Sequence, residues 1–383
     1  MPEEGVLGQI KRFGVGEPIP SHLAHHERLS RVTGLAVLSS DPLSSAAYAT
    51  EEILRVLILA NVAAFSFSSP IAFIIATILA IVVFSYRQTI YAYPSGGGAY
   101  IVARENLEEM PSLIAAAALL IDDILTVAVS IAAGVAALTS AFPEWIDHRV
   151  AIGLSFIVIL MLGNLRGIRE SGQIFAAPTY FFIISLLTLI GVGTWRAFTG
   201  SMEPVEAMAP LESVGQPVTV FLLLRAFANG CTAMTGVEAV SNGVPAFKPP
   251  ESKNAAATLM IMAVLSITMF LGITLLAQTY QILPSQQETV VSQLASGVFG
   301  GRGLPYYLVQ AATMLILVLA ANTAYADFPR LSSILARDRY LPRQFMNQGD
   351  RLAFSNGILG LSAFAALLIV VCAAIRMPSS RST

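Results

Sequence analysis

Ser39-Ser40-Asp41-Pro42-Leu43-Ser44-Ser45 interrupts an otherwise apolar run over residues 33–60. About 20 apolar residues span a bilayer core, so the run is long enough to cross a membrane. Proline behind an aspartate marks the first turn of a helix, which predicts two half-helices, the second starting at Pro42 with Asp41 able to cap it. A carboxylate at membrane depth costs about 3 kcal/mol or more and is kept where it faces a partner, a cavity or a cation. Capping and cation binding are compatible, because a carboxylate has more lone pairs than one cap uses. Carbonyls freed near Ser39 and Ser40 would add oxygen ligands.

The rest of the chain has the same character. Of 383 residues, 55% are hydrophobic and 12% charged, whereas soluble domains average about 25% charged. That excludes a soluble enzyme. A net charge of −2 without a basic block gives no nucleic-acid footprint, and Cys231 and Cys372 lack metal-ligand spacing. The first thirty residues are polar and basic rather than a cleavable signal. Nine spans are predicted, at 33–60, 70–93, 112–141, 148–164, 173–198, 218–244, 256–280, 305–328 and 354–375. They make an all-α polytopic membrane protein whose transmembrane domain covers 33–375, between an N-terminal segment 1–32 and a patternless tail 376–383.

Placing Lys11, Arg12, Arg28 and Arg31 in the cytoplasm puts fifteen of the 22 Lys and Arg on that side. The opposite side receives Glu144, Asp147, Glu288 and the acidic loop with Glu203, Glu206 and Glu212. The positive-inside rule therefore predicts a cytoplasmic N-terminus in the cell membrane.

Span 6 is interrupted as well. Gly230 and Gly236 weaken it, while Thr232, Thr235 and Glu238 recur at i, i+3 and i+6 on one stripe. Hydroxyls on such a stripe can be helix–helix glue, but an acid is costlier than glue requires. In span 3, Asp122 and Thr126 share a face and Asp123 is rotated about 100° away. Two adjacent acids in a dry site need a proton or a cation between them, so Asp122, Asp123 and Glu238 are candidates for proton coupling. Tyr48, seven residues after Asp41, is either a ligand on the same face or an interfacial anchor, and Tyr325 near Asn322, Thr323 and Asp327 has the same two readings. Tyr91, Tyr93 and Tyr100 flank Pro94-Ser95-Gly96-Gly97-Gly98, which lacks the Lys-Ser/Thr of a phosphate loop and reads as an anchor or gate loop. His22, His25 and His26 read as a solvated face before the first span. Broken, acid-bearing helices point to a secondary transporter's midplane site, here for a small cation, with no cofactor.

SSDPLSSAAYATE (39–51), YPSGGGAYIVARENL (93–107), IDDILTVAVSIAAG (121–134), NLRGIRES (164–171), NGCTAMTGVEAVSNGVPAFK (229–248), ANTAYADFPRLSSILARDRYLPRQF (321–345) and GDRLAFSNGI (349–358) together resemble the KimA-type potassium transporters. These are relatives of the KUP family in the amino acid–polyamine–organocation superfamily, and the resemblance runs from about residue 25 to 372. It implies a LeuT-like five-plus-five inverted-repeat fold, with repeat one over 33–198 and an incomplete repeat two over 218–375. It also implies potassium symport with protons, and a homodimer. By motif, the implied potassium ligands are Asp41, Tyr48, Asp122, Thr126, Thr232, Thr235 and Glu238, with Tyr325 a further candidate.

Two departures stand out. Asp123 replaces a tyrosine of the family pattern. Such transporters continue through further helices into a cytoplasmic domain that senses a nucleotide second messenger, so the resemblance implies a C-terminal part beyond this sequence. One codon choice from Cys372 onward, read two bases later, encodes RGDTHALIPLY, which is similar to the family's continuation, so a frameshift there is the expectation. The rival readings are an amino-acid permease of the same superfamily and an inactive fragment or membrane sensor.

Overall fold

A computed structural model describes residues 28–96, 98–166, 168–201, 211–347 and 354–376. The three N-terminal histidines, Gly97, Gly167, Glu203, Glu206 and the tail from Met377 lie outside the described residues. Among the described residues the structure is helical, apart from one isolated bridge between Leu29 and Phe247. The elements are α1 (Arg31–Leu38), α2 (Ser40–Ser45), α3 (Ala49–Leu57), α4 (Ser68–Ala92), α5 (Gly98–Asn106), α6 (Glu109–Ala141), α7 (Arg149–Leu165), α8 (Ile168–Thr199), α9 (Val220–Gly230), α10 (Ala239–Asn242), α11 (Glu251–Thr279), α12 (Val290–Phe299), α13 (Leu304–Arg337) and α14 (Ser355–Arg376).

Eight helical segments among the described residues, pass six being counted through its break, are long and apolar enough to cross a membrane, where the sequence predicts nine spans. The difference is the first span, which is cut into α1, α2 and α3, no piece of which reaches the required length. The other eight match the predicted spans to within a few residues, except at one end. The eighth span runs on from residue 328 to Arg337, straight through Pro329. Gly357 of α14 makes room there, since a Cβ on it would come within 2.8 Å of Pro329 Cα. Ile81, Ile121, Ile159 and Ile184 are each more than half exposed. Soluble surfaces rarely carry so much contiguous apolar area, and lipid accounts for it. This is a multi-pass membrane protein.

The long helices pair in a regular way. Counting the broken segment as pass one, pass three packs on eight (α6 with α13), two on seven (α4 with α11) and four on nine (α7 with α14), and pass eight also packs on five (α13 with α8). Pass one meets pass six through α3 against α9. Apart from the five–eight pair, each of these partners lies five passes on. Buried apolar residues up to Leu38 belong to one cluster with Val83, Val240 and Phe247. From Leu43 onward they join a second cluster with Phe182, Phe270 and Ile316. Ser39–Ser45, all buried, lies where one apolar cluster gives way to the other.

Candidate functional site

The helix breaks differ from their predicted form. The second piece of pass one begins at Ser40, not Pro42, and Asp41 makes no capping bond. Ser44 and Ser45 instead donate their hydroxyls to the Asp41 carbonyl at 2.8 and 3.1 Å, which satisfies backbone left open by the short helix. The Asp41 carboxylate, 3% exposed, is thereby left with an oxygen, Oδ1, that has no hydrogen-bond partner among the described residues. Proline restricts the residue before it, but its ring fits the first turn of α2 here because α2 begins two residues earlier.

Pass six is not a continuous helix at its polar stripe. A 3-10 turn over Cys231–Met234 leads to extended Thr235 and then to Gly236 at φ +76°, before the four-residue α10. The i, i+3, i+6 stripe therefore does not exist as a helix face. Thr232 spends its hydroxyl on the Asn229 carbonyl at 2.9 Å. Thr235 likewise donates to the Thr232 carbonyl at 2.9 Å, but its hydroxyl also meets Ser45 Oγ at 3.0 Å, and Ser45 meets the Tyr48 hydroxyl at 3.1 Å. Tyr48 itself lies between α2 and α3, not on one helix face with Asp41. Gly236 is needed for two reasons: its φ is one that side-chain-bearing residues avoid, and a Cβ would overlap the Asp41 carboxylate. The two breaks thus abut, with the backbone of one laid against the acid of the other.

The remaining acids gather around this contact. Glu238 and Asp122 lie within electrostatic range of Asp41. Asp123 lies within range of Asp327, Glu238, Asp122 and Asp41. Glu238 turns its carboxylate towards the backbone N–H of Gly236 and its own. Thr126 is half-buried on α6 one turn beyond Asp122. Tyr325 is not part of the gathering: it is buried among α7 and α14 residues such as Ile157 and Leu361, and its hydroxyl pairs with Ser362 at 2.7 Å.

Two participants were not singled out by sequence reasoning. Ser45, one of four serines in the 39–45 stretch, is the bridge between the passes. Asp327, read as a residue at the end of a span, joins the carboxylate group and accepts from Asn242 Nδ2. Its sequence signal was an acid inside the predicted span 305–328, grouped there with Asn322, Thr323 and Tyr325. Near the other end of pass one, Glu51 pairs with Arg55 at 2.6 Å and accepts from the Val290 N–H at 3.2 Å, tying α3 to the start of α12. No group of three or more His, Cys, Asp or Glu side chains that could hold a metal ion occurs among the described residues.

The profile of the family described as amino acid permease matches residues 29–381. The chain belongs to the amino acid permease family. Family members are membrane transporters rather than enzymes, in agreement with the broken passes and the buried acids between them. The potassium transporter KimA of Bacillus subtilis (strain 168) is 52% identical over 365 residues, which cover 94% of this chain and 59% of that relative. This amino acid permease family chain therefore spans less than two thirds of the curated relative's length.

Proposed function

We propose that the chain is a secondary active transporter that carries potassium inwards together with protons. The observation that carries this reading is the Asp41 carboxylate, buried where the two helix breaks abut, with one oxygen unpartnered among the described residues. The identity to a potassium transporter supports potassium as the cargo. Asp41, Tyr48, Thr235, Glu238, Asp122 and Thr126 would supply charge and oxygens to a dehydrated ion. Acids crowded in a medium of low dielectric need positive charge among them, and a potassium ion and a proton on Asp122, Asp123 or Glu238 would supply it. The five-pass offset in packing supports a five-plus-five inverted repeat whose halves rock to alternate access. The balance of basic residues supports a cytoplasmic N-terminus.

The test is growth rescue of a potassium-uptake-deficient strain, with labelled rubidium uptake, by the chain and its D122N and E238Q variants. Rescue by the parent and loss in both variants is the expected result. The family's name favours a second reading, amino-acid transport, in which the substrate amine would pair with Asp41. Uptake of labelled amino acids without uptake of rubidium would replace the potassium reading with that one.

A further inference from the structure

Asn242 is the last residue of α10, and three elements converge on it. Its Nδ2 donates to Asp327 Oδ2 on α13. Gly98, the first residue of α5, lies so close that a Cβ would overlap Asn242 Oδ1, and Gly98 takes φ +51°. A Cβ on Gly96 would stand 2.6 Å from the Asn242 carbonyl oxygen and 3.0 Å from Pro245 Cδ. The loop before α5 is therefore pressed onto the end of pass six.

That loop is anchored to the same helix that holds Asp327. The fully buried Tyr100 donates to Asp338 at 2.7 Å, and Arg104 pairs with the same carboxylate. Burial, together with donation to Asp338, pushes the Tyr100 phenol up to about 12, so the anchor keeps its proton at any physiological pH. Asp338 ends the helix that packs along α6, α8 and α14, which makes α13 with α5 one fixed side. Asn242 belongs to the other side: it ends the four-residue helix Ala239–Asn242, which is joined to Thr235 by the left-handed Gly236, Val237 and Glu238.

Asp327 of this contact lies within electrostatic range of Asp123, which is in turn within range of Asp41. The same contact lines a cavity of about 340 Å³, together with Arg330, Ser95, Ser333 and Phe354. We propose that the Asn242–Asp327 pair, backed by Gly96 and Gly98, is a latch that shuts the way between the Asp41 carboxylate and this cavity. It opens when Asn242 swings with α10 about Gly236, away from α13. Gly96 and Gly98 are required because Asn242 must seat against bare backbone. The latch rests on the transport reading only for what passes through it.

The test reads access rather than transport. In the full chain carrying C231A, C372A and S45C, the rate of modification by a small cationic methanethiosulfonate is measured on purified protein without potassium. Both N242A and N242D are expected to speed S45C modification about tenfold, the population shift from losing one hydrogen bond to a charged group. The double variant N242D/D327N is expected to return it to the parent rate, because the D327N amide can donate to the N242D carboxylate. Parent-rate modification in N242A and N242D, or no slowing in the double variant, would overturn the latch. N242S serves in place of N242A if the latter does not fold. Failure of rubidium uptake by the parent strikes the transport reading alone, since the modification rate needs no cargo.

Discussion

The two broken passes meet at one point but are built by opposite means. Pass one breaks within a run of small hydroxyl residues, and its serines hand their hydroxyls to the Asp41 carbonyl, so the acid is carried on an ordered helical turn. Pass six breaks through conformation: a 3-10 turn, an extended threonine and a left-handed glycine. One contributes charge in a fixed place, and the other contributes bare backbone and freedom to bend. A charge buried in lipid is tolerable where its surroundings are pre-organised. A hinge needs a residue without that obligation.

Removing the charge should break the comparison most severely. D41N keeps the shape and abolishes the negative centre, and rubidium uptake is expected to fall at least about 100-fold, in line with the cost of leaving buried charges uncompensated. Uptake within a few-fold of parent would show that the acid of pass one is not the fixed partner described above.

G236A attacks the other half. A side chain at φ +76° costs about 1–3 kcal/mol, and here it must also displace the Asp41 carboxylate. Uptake should fall about 10- to 100-fold, with a lowered melting temperature in detergent. An unaltered melting curve would mean that pass six can bend elsewhere.

S45A and T235V each remove the hydroxyl link between the passes. With a net worth of about 0.5–1.5 kcal/mol for such a bond, apparent affinity should weaken about 2- to 10-fold, and the double variant should lose little more than either single one. Additive losses would show that the two hydroxyls act separately. Y325F is the smallest change: it removes only the Ser362 bond, costs about 1 kcal/mol of stability, and should leave uptake within about twofold. A larger loss of uptake would return Tyr325 to the site.

Much of this was legible from residue types alone. The positions of the long helices follow from apolar runs that need about 20 residues to cross a bilayer. Asp41, Asp122, Asp123 and Glu238 announce themselves because an acid in such a run needs a reason to be there. What spacing could not give was the role of residues inside a break. The Thr232, Thr235, Glu238 stripe assumed helical periodicity, which fails where the chain is 3-10, then extended, then left-handed. The expected cap by Asp41 failed because the helix begins at Ser40, one residue before it, which places Asp41 inside the first turn rather than at the N-cap. Ser45 was one hydroxyl among several until its partners across the passes singled it out.

Composition and pattern by themselves determined that the chain is a multi-pass membrane protein with acids at two interrupted helices, because lipid solvates neither charge nor unpaired backbone. Tertiary structure alone decided that Gly236 lies against Asp41, that Ser45 and not Thr232 joins the two breaks, that Tyr325 packs elsewhere, and that Asp327 answers to Asn242. These are contacts between residues 37 to 195 positions apart. Local propensity has no term for such distances, and close packing settles them.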